Sequence, residues 1–297
     1  MCADGHCPSD SPQKGRTLWT PIIGERERKN NAEERCDAVV EKRMTFNEDA
    51  ANYDRWRPRY CAELFGSIIA HSMLDGDKCA VEIGCGTGQA TEPFLKTGCA
   101  VTAVELGESL AQFAKAKFAD YPNFKARNVA FKDFQYEKNS VDLIYSATAF
   151  HWIPAEIGYP KAFDMLKNGG TLALFWNRPG REKDDLHERI EEIYTRYTAC
   201  GKRQKDEVTV RPPAHGQGVM DTIVKHGFQN AHYCKYYNTR VFSSRDYLSL
   251  LDTYSDNIAM QPADRAQFYG EIAAVIDDFG GSIDIHDTMH LYLARKP

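Results

Sequence analysis

Val81-Glu-Ile-Gly-Cys-Gly-Thr-Gly88 is the stretch on which the fold turns: three glycines at alternate positions, set between the apolar run Cys79-Ala-Val-Glu-Ile83 and a helical pattern from Gln89 to Lys96 that Gly98 stops. Glycine has no Cβ, so such a turn takes dihedrals closed to other residues and lets a ligand lie against the main chain. The next strand, Ala100 to Glu105, ends on a carboxylate that can accept hydrogen bonds from both hydroxyls of a ribose. Loop plus acid reads as a nucleoside site. A dinucleotide loop wants G-x-G-x-x-G. Here the third glycine comes one residue early, and Glu82 stands at the strand end, where it would repel a pyrophosphate but suits an ammonium group. The plainer reading is a tight strand-to-helix turn flanked by two solvated acids.

Outward from the loop, short apolar runs alternate with helical patterns. Leu64, Phe65, Ile68 and Ile69 predict an amphipathic helix over 59–72. After the loop come a helix over 108–119, strand material at 124–130, a strand at 141–146, a helix over 160–167 and the strongly strand-like Thr171-Leu-Ala-Leu-Phe-Trp176. This alternation means a parallel sheet with helices on both faces. Further on, the pattern gives a helix over 183–199, a loop rich in Pro, Gly and His over 208–218, and a strand at 232–242. Two amphipathic helices, through Tyr247 to Ile258 and Phe268 to Phe279, then precede a last strand at 290–294. The helical pair, about 243–281, is thus inserted between the last two strands as a cap. Residues 1–43 are rich in Pro, Gly and charge and poor in large apolar groups, and read as a mobile or loosely docked leader before a domain over 44–297.

The 297 residues are 42% hydrophobic, enough for one large α/β domain. Net charge is −5, with 37 basic and 42 acidic side chains and no long block of either sign, so no nucleic-acid partner is expected. No run is apolar enough to span a bilayer, and no membrane partner is expected. Nine scattered cysteines fit reduced thiols in a cytoplasm better than a disulfide framework. Cys2, His6 and Cys7 cluster alone, without a second ligand pair, and no metal is expected. The sequence sets no oligomeric state.

On Val81 to Gly88, Glu105, Lys132-Asp-Phe134, Val141 to Trp152 and the opening segment Phe46-x6-Tyr53-Asp-x2-Arg57-Pro58, the chain resembles class I S-adenosylmethionine-dependent methyltransferases, in a small-molecule branch similar to trans-aconitate methyltransferases. The resemblance covers residues 44 to 297. It implies a Rossmann-like α/β fold with a seven-stranded, mostly parallel sheet in the order 3-2-1-4-5-7-6, strand 7 antiparallel, and S-adenosyl-L-methionine as cofactor. It implies further that Gly84, Cys85, Gly86, Gly88, Glu82, Glu105 and Leu106 bind the cofactor with Asp133 and Phe134, an acid and a backbone amide for the adenine. Tyr53 and Arg57 would fold across it, Arg57 near the methionine carboxylate, and Ser146 would stand at the sheet edge beside it.

His151 follows the fourth strand on the edge where Glu82 and Glu105 emerge, and is the candidate catalytic residue, either as a base toward the acceptor or as a hydrogen-bonding partner of it. Methyl transfer is an in-line displacement in which alignment supplies much of the rate. Trp152, Trp176, Asn177 and Tyr254 are candidates to line the acceptor pocket, with packing as their alternative role. The expected activity is O-, N- or C-methylation of a small molecule. Two rivals stand beside it: a catalytically idle nucleoside-binding regulator and an NAD-dependent oxidoreductase with an aberrant loop.

Overall fold

The computed structural model describes residues 50–180, 184–200 and 216–297. The leader expected over 1–43 and Phe46 of the opening segment lie outside the described residues. In chain order the elements are α1 (Ala50–Trp56), α2 (Ala62–Ser72), β1 (Cys79–Ile83), α3 (Glu92–Leu95), β2 (Ala100–Glu105), α4 (Glu108–Lys117), β3 (Phe124–Asn128), β4 (Val141–Ala147), α5 (Ala155–Met165) and β5 (Leu166–Gly180). There follow α6 (Asp185–Cys200), α7 (Gln217–Lys225), β6 (Gln229–Ser243), α8 (Ser244–Leu251), α9 (Ser255–Ile258), α10 (Pro262–Asp278) and β7 (Ser282–Arg295).

The strands form one sheet in the order β3-β2-β1-β4-β5-β7-β6. The first five pair in parallel and β7 runs antiparallel to both neighbours. This is the expected fold. Alternation along the strands sorts two cores. Val81, Ile83, Ile144, Leu172 and Leu174 face Tyr159, Ala162, Met165, Val219 and Ile223 of α5 and α7. On the other face Ala80, Leu143, Tyr145, Ala173 and Phe175 meet Leu64, Phe65, Ile68 and Phe94 of α2 and α3. A third cluster joins α6, α8 and α10 to Phe242, Ile283 and Ile285 at the ends of β6 and β7.

Several elements differ from the sequence reading. The helix expected over 89–96 is only Glu92–Leu95, because Gly88 still holds φ +83° and the chain turns until Thr91; Pro93 then fits the first helical turn. The helix expected from Pro160 begins at Ala155 and carries Pro160 inside it. α7 occupies the end of what reads as loop, burying Val219 and Ile223 at i, i+4 behind Gly216 and Gly218. α1 has no fully buried residue, only Trp56 packed against the third cluster, and so no apolar stripe for periodicity to detect. Ser243 caps α8, its hydroxyl accepting from the Asp246 amide at 3.1 Å.

Candidate functional site

Parallel pairing brings the carboxyl ends of β1, β2, β4 and β5 to one edge of the sheet, the edge where open α/β sheets bind ligands. The glycine loop leaves β1 there with Gly84, Gly86 and Gly88 all at positive φ. At Gly84 the constraint is steric as well, since a Cβ would stand 2.5 Å from the Ala149 methyl group of the loop after β4. At Gly86 it would meet the Tyr53 ring at 3.4 Å, so α1 lies across the loop.

Glu105 fastens this turn. Its Oε2 accepts the Gly86 amide and its Oε1 the Gly107 amide, each at 2.8 Å. One buried carboxylate therefore ties the loop after β1 to the loop after β2 through charge-assisted bonds. A carboxylate oxygen has two acceptor directions, so tying the loop and accepting a ribose hydroxyl are compatible uses of the same group.

Glu82 is 1% exposed and points to the α2–α3 face. Its Oε2 accepts Thr91 Oγ1 at 2.6 Å and Tyr145 OH at 3.0 Å, whereas its Oε1 is buried with no hydrogen-bond partner. Burial pushes the carboxyl up to about 7, against the pull of the Thr91 and Tyr145 bonds. The sequence reading missed Thr91 and Tyr145. The signal was present, because Tyr145 is a polar interruption of an apolar strand at the register position opposite Glu82.

The other predicted residues divide. Cys85 is buried with its thiol pushed well above its ordinary value by that burial, so it serves as a small apolar group in the turn. Leu106 is half-buried and its carbonyl accepts from Asn128. Asp133 is exposed at the end of a 3₁₀ turn, Phe131–Asp133. The Phe134 amide is spent inside that turn on the Ala130 carbonyl at 3.0 Å, and its ring is buried in the core, so the amide expected to read an adenine nitrogen is engaged elsewhere in this structure. Ser146 is likewise drawn inward, donating to the Ile83 carbonyl at 2.8 Å with no exposed surface; it braces β4 against β1.

Tyr53 and Arg57 meet the cap. The Arg57 guanidinium lies between the rings of Tyr53 and Tyr254, 4.9 and 4.8 Å from their centroids, and donates to the Thr253 carbonyl. Burial raises the Tyr53 phenol, with Arg57 opposing it. Lys117 anchors the same helix through Asp54 at 2.6 Å and reaches the Thr87 carbonyl. Burial works against the Asp54 carboxylate, yet the Lys117 bond holds it below its usual range.

At the ends of β4 and β5, Thr148 adopts φ +52° and shares a hydrogen bond of 2.7 Å with Tyr60, while the backbone N–H of Asn177 donates to its hydroxyl at 3.2 Å. The Asn177 side-chain oxygen and nitrogen are both buried with no partner. Trp176 is buried and donates to His151 Nδ1 at 3.0 Å; His151 and Trp152 are half-buried in the 3₁₀ turn Phe150–Trp152, their rings 5.2 Å apart. A cavity of about 540 Å³ lies between α1 and α8, lined by Trp56, Arg55 and Arg245 among others and by none of the predicted site residues. Among the described residues no group of His, Cys, Asp or Glu is placed to hold a metal, and no helix is long and apolar enough to cross a membrane.

A methyltransferase-domain family model matches residues 81–174, from β1 into β5. A methyltransferase-like protein of Schizosaccharomyces pombe is 25% identical over 77% of this chain and 84% of its own length. An uncharacterised methyltransferase of Mycobacterium bovis is 25% identical over 64% of this chain and 71% of its own. Among solved structures, the candidate type II methyltransferase of Anaeromyxobacter dehalogenans superposes with a TM-score of 0.57 at 18% identity, over 80% of this chain and 97% of that one, a likeness of fold.

Proposed function

We propose that this chain, a class I S-adenosylmethionine-dependent methyltransferase, methylates a small-molecule acceptor held at the carboxyl edge of the sheet between the loop after β4 and the cap. The single observation that carries the reading is the fastened glycine loop: two backbone amides on Glu105, with a buried, unpartnered Glu82 oxygen close behind them.

These residues fit the cofactor on their own chemistry. Gly84 and Gly86 leave main chain uncovered by side chains of their own, Glu105 offers acceptors for ribose hydroxyls, and the lone Glu82 oxygen suits an ammonium group, directly or through water. Arg57 would pair with the methionine carboxylate, and exposed Asp133 with the adenine amino group. When bound, S-adenosylmethionine supplies a methyl group on a cationic sulfur, open to in-line displacement. The protein's part is then to hold and align. Tyr53 covers the loop, Trp152 and Tyr254 wall the acceptor side, and the unpartnered Asn177 amide has a donor and an acceptor to offer a polar substrate group. The trans-aconitate branch supplies the candidate class, a small carboxylated or otherwise polar molecule.

Isothermal calorimetry with S-adenosylhomocysteine, NAD as control, followed by an acceptor screen with methyl-labelled cofactor, tests the reading. Binding of the first ligand alone, weakened in Glu105→Ala by at least the roughly 1.5–3 kcal/mol expected for a hydrogen bond to a charged acceptor, is the expected outcome. Binding without turnover on any small molecule would favour the idle regulator, and retention of NAD the oxidoreductase.

A further inference from the structure

The bond between Trp176 and His151 constrains what the histidine can do. Trp176 sits at the end of β5 with 1% of its surface exposed, its ring edge-on to Tyr292 at 5.8 Å, and its Nε1 donates to His151 Nδ1 at 3.0 Å. An indole N–H only donates, so this bond uses the lone pair of Nδ1. A neutral imidazole carries one protonated and one bare nitrogen. With Nδ1 bare, the ring proton stands on Nε2. A doubly protonated ring would set two N–H donors against each other across the 3.0 Å contact, which folded proteins avoid.

We infer that Trp176 is a positioning residue that fixes His151 as an Nε2–H donor, so that the ring orients an electron-rich atom of the acceptor and takes no proton from it. The inference rests on the functional reading that His151 faces the acceptor. A general base needs an open lone pair, and here one nitrogen is occupied by its own proton and the other by the indole. The nucleophilic atom is therefore one that arrives with its lone pair exposed, as in an ionised oxygen acid or an unprotonated amine. That lone pair forms the bond to the methyl carbon as the carbon–sulfur bond breaks, and the bonding electrons remain on a now neutral sulfur. No proton passes through His151, and any left on a methylated nitrogen goes to solvent.

Two arms test this. Long-range proton–nitrogen correlation spectra of the ¹⁵N-labelled full chain, with the His151 signals assigned through His151→Gln, read the tautomer without cofactor or acceptor. A bare Nδ1 beside a protonated Nε2 is expected, and in Trp176→Phe an Nδ1–H population appears. A wild-type ring protonated on Nδ1 overturns the inference. This arm stands whether or not a small-molecule acceptor is found, so its failure is distinct from failure of the functional reading. In the kinetic arm, glutamine keeps an N–H donor at that position but has no basic nitrogen. His151→Gln is expected to keep kcat within about fivefold of wild type with the change falling on acceptor KM, while His151→Ala loses at least about tenfold. A loss in His151→Gln of the roughly 10²–10⁴-fold typical of a missing general base overturns the inference.

Discussion

Glu82 shows how the burial of one acid makes the stability of the fold depend on pH. Its carboxyl stands near 7 in the folded chain against an ordinary 4.5, with burial as the cause. The folded protein thus keeps a proton that the unfolded chain gives up, and the stability tied to this group is present in full below about 4.5 and is lost as pH rises toward 7. The loss amounts to about 3 kcal/mol, because each tenfold difference in proton affinity between the folded and unfolded chain is worth about 1.4 kcal/mol. Urea unfolding of the ligand-free protein at several pH values should show it, and Glu82→Gln should flatten that part of the profile while weakening S-adenosylhomocysteine. An ammonium beside the carboxylate reverses the balance, so binding near pH 6.5 should release a proton, read as a dependence of the calorimetric heat on the buffer's ionisation enthalpy. The residue type was legible in the sequence, because an acid at a strand end before three glycines has few structural uses. Its enclosure was not. Thr91 and Tyr145 reach it from a turn and a neighbouring strand, and only the β1–β4 register brings the second of them to it.

At the scale of elements, the glycine loop is held from both sides, by Ala149 against Gly84 and by Glu105 on the Gly86 amide. Gly84→Ala must absorb a 2.5 Å methyl contact and a φ of +68°, and should destabilise the chain by about 2–4 kcal/mol in thermal or chemical unfolding. Adding Ala149→Gly removes the contact but leaves the dihedral, so the double variant should recover part of the loss. Strands were the most readable elements: Cys79–Ile83 and Ala100–Glu105 fall where their apolar runs place them, since a buried parallel strand has little but its apolarity to show. Helices whose role is local were harder to read. α3 is cut short by backbone geometry that Gly88 permits, and α7 hides two core residues behind glycines that otherwise mark loops. In the site, the loop and its two acids could be read from the sequence, whereas the inward turn of Ser146 and the engaged Phe134 amide follow from pairings with Ile83 and Ala130 that a linear pattern does not reveal.

For the whole molecule, β6 and β7 form a long antiparallel pair, joined through the cap helices, that completes the sheet at one end and carries the cap cluster at the other. Within it Arg240 grips the fully buried Asp287 carboxylate with Nε and Nη2, the latter at 3.0 Å from Oδ1. Asp287→Ala strands a largely buried guanidinium and should cost about 3–5 kcal/mol in urea unfolding. Replacing both partners by leucine should cost far less, because no charge is then left without its partner. The strand order has a further consequence, for synthesis. β7 follows every other strand in the chain, yet in the sheet it lies between β5 and β6. While the protein is being made, β5 waits with an open edge of unpaired amides and carbonyls until residues 282–295 have left the ribosome, and Arg57 waits for Thr253. A nascent chain stalled anywhere in the cap therefore holds a complete glycine loop on an unfinished sheet, whose β5 edge is open to pairing with another chain.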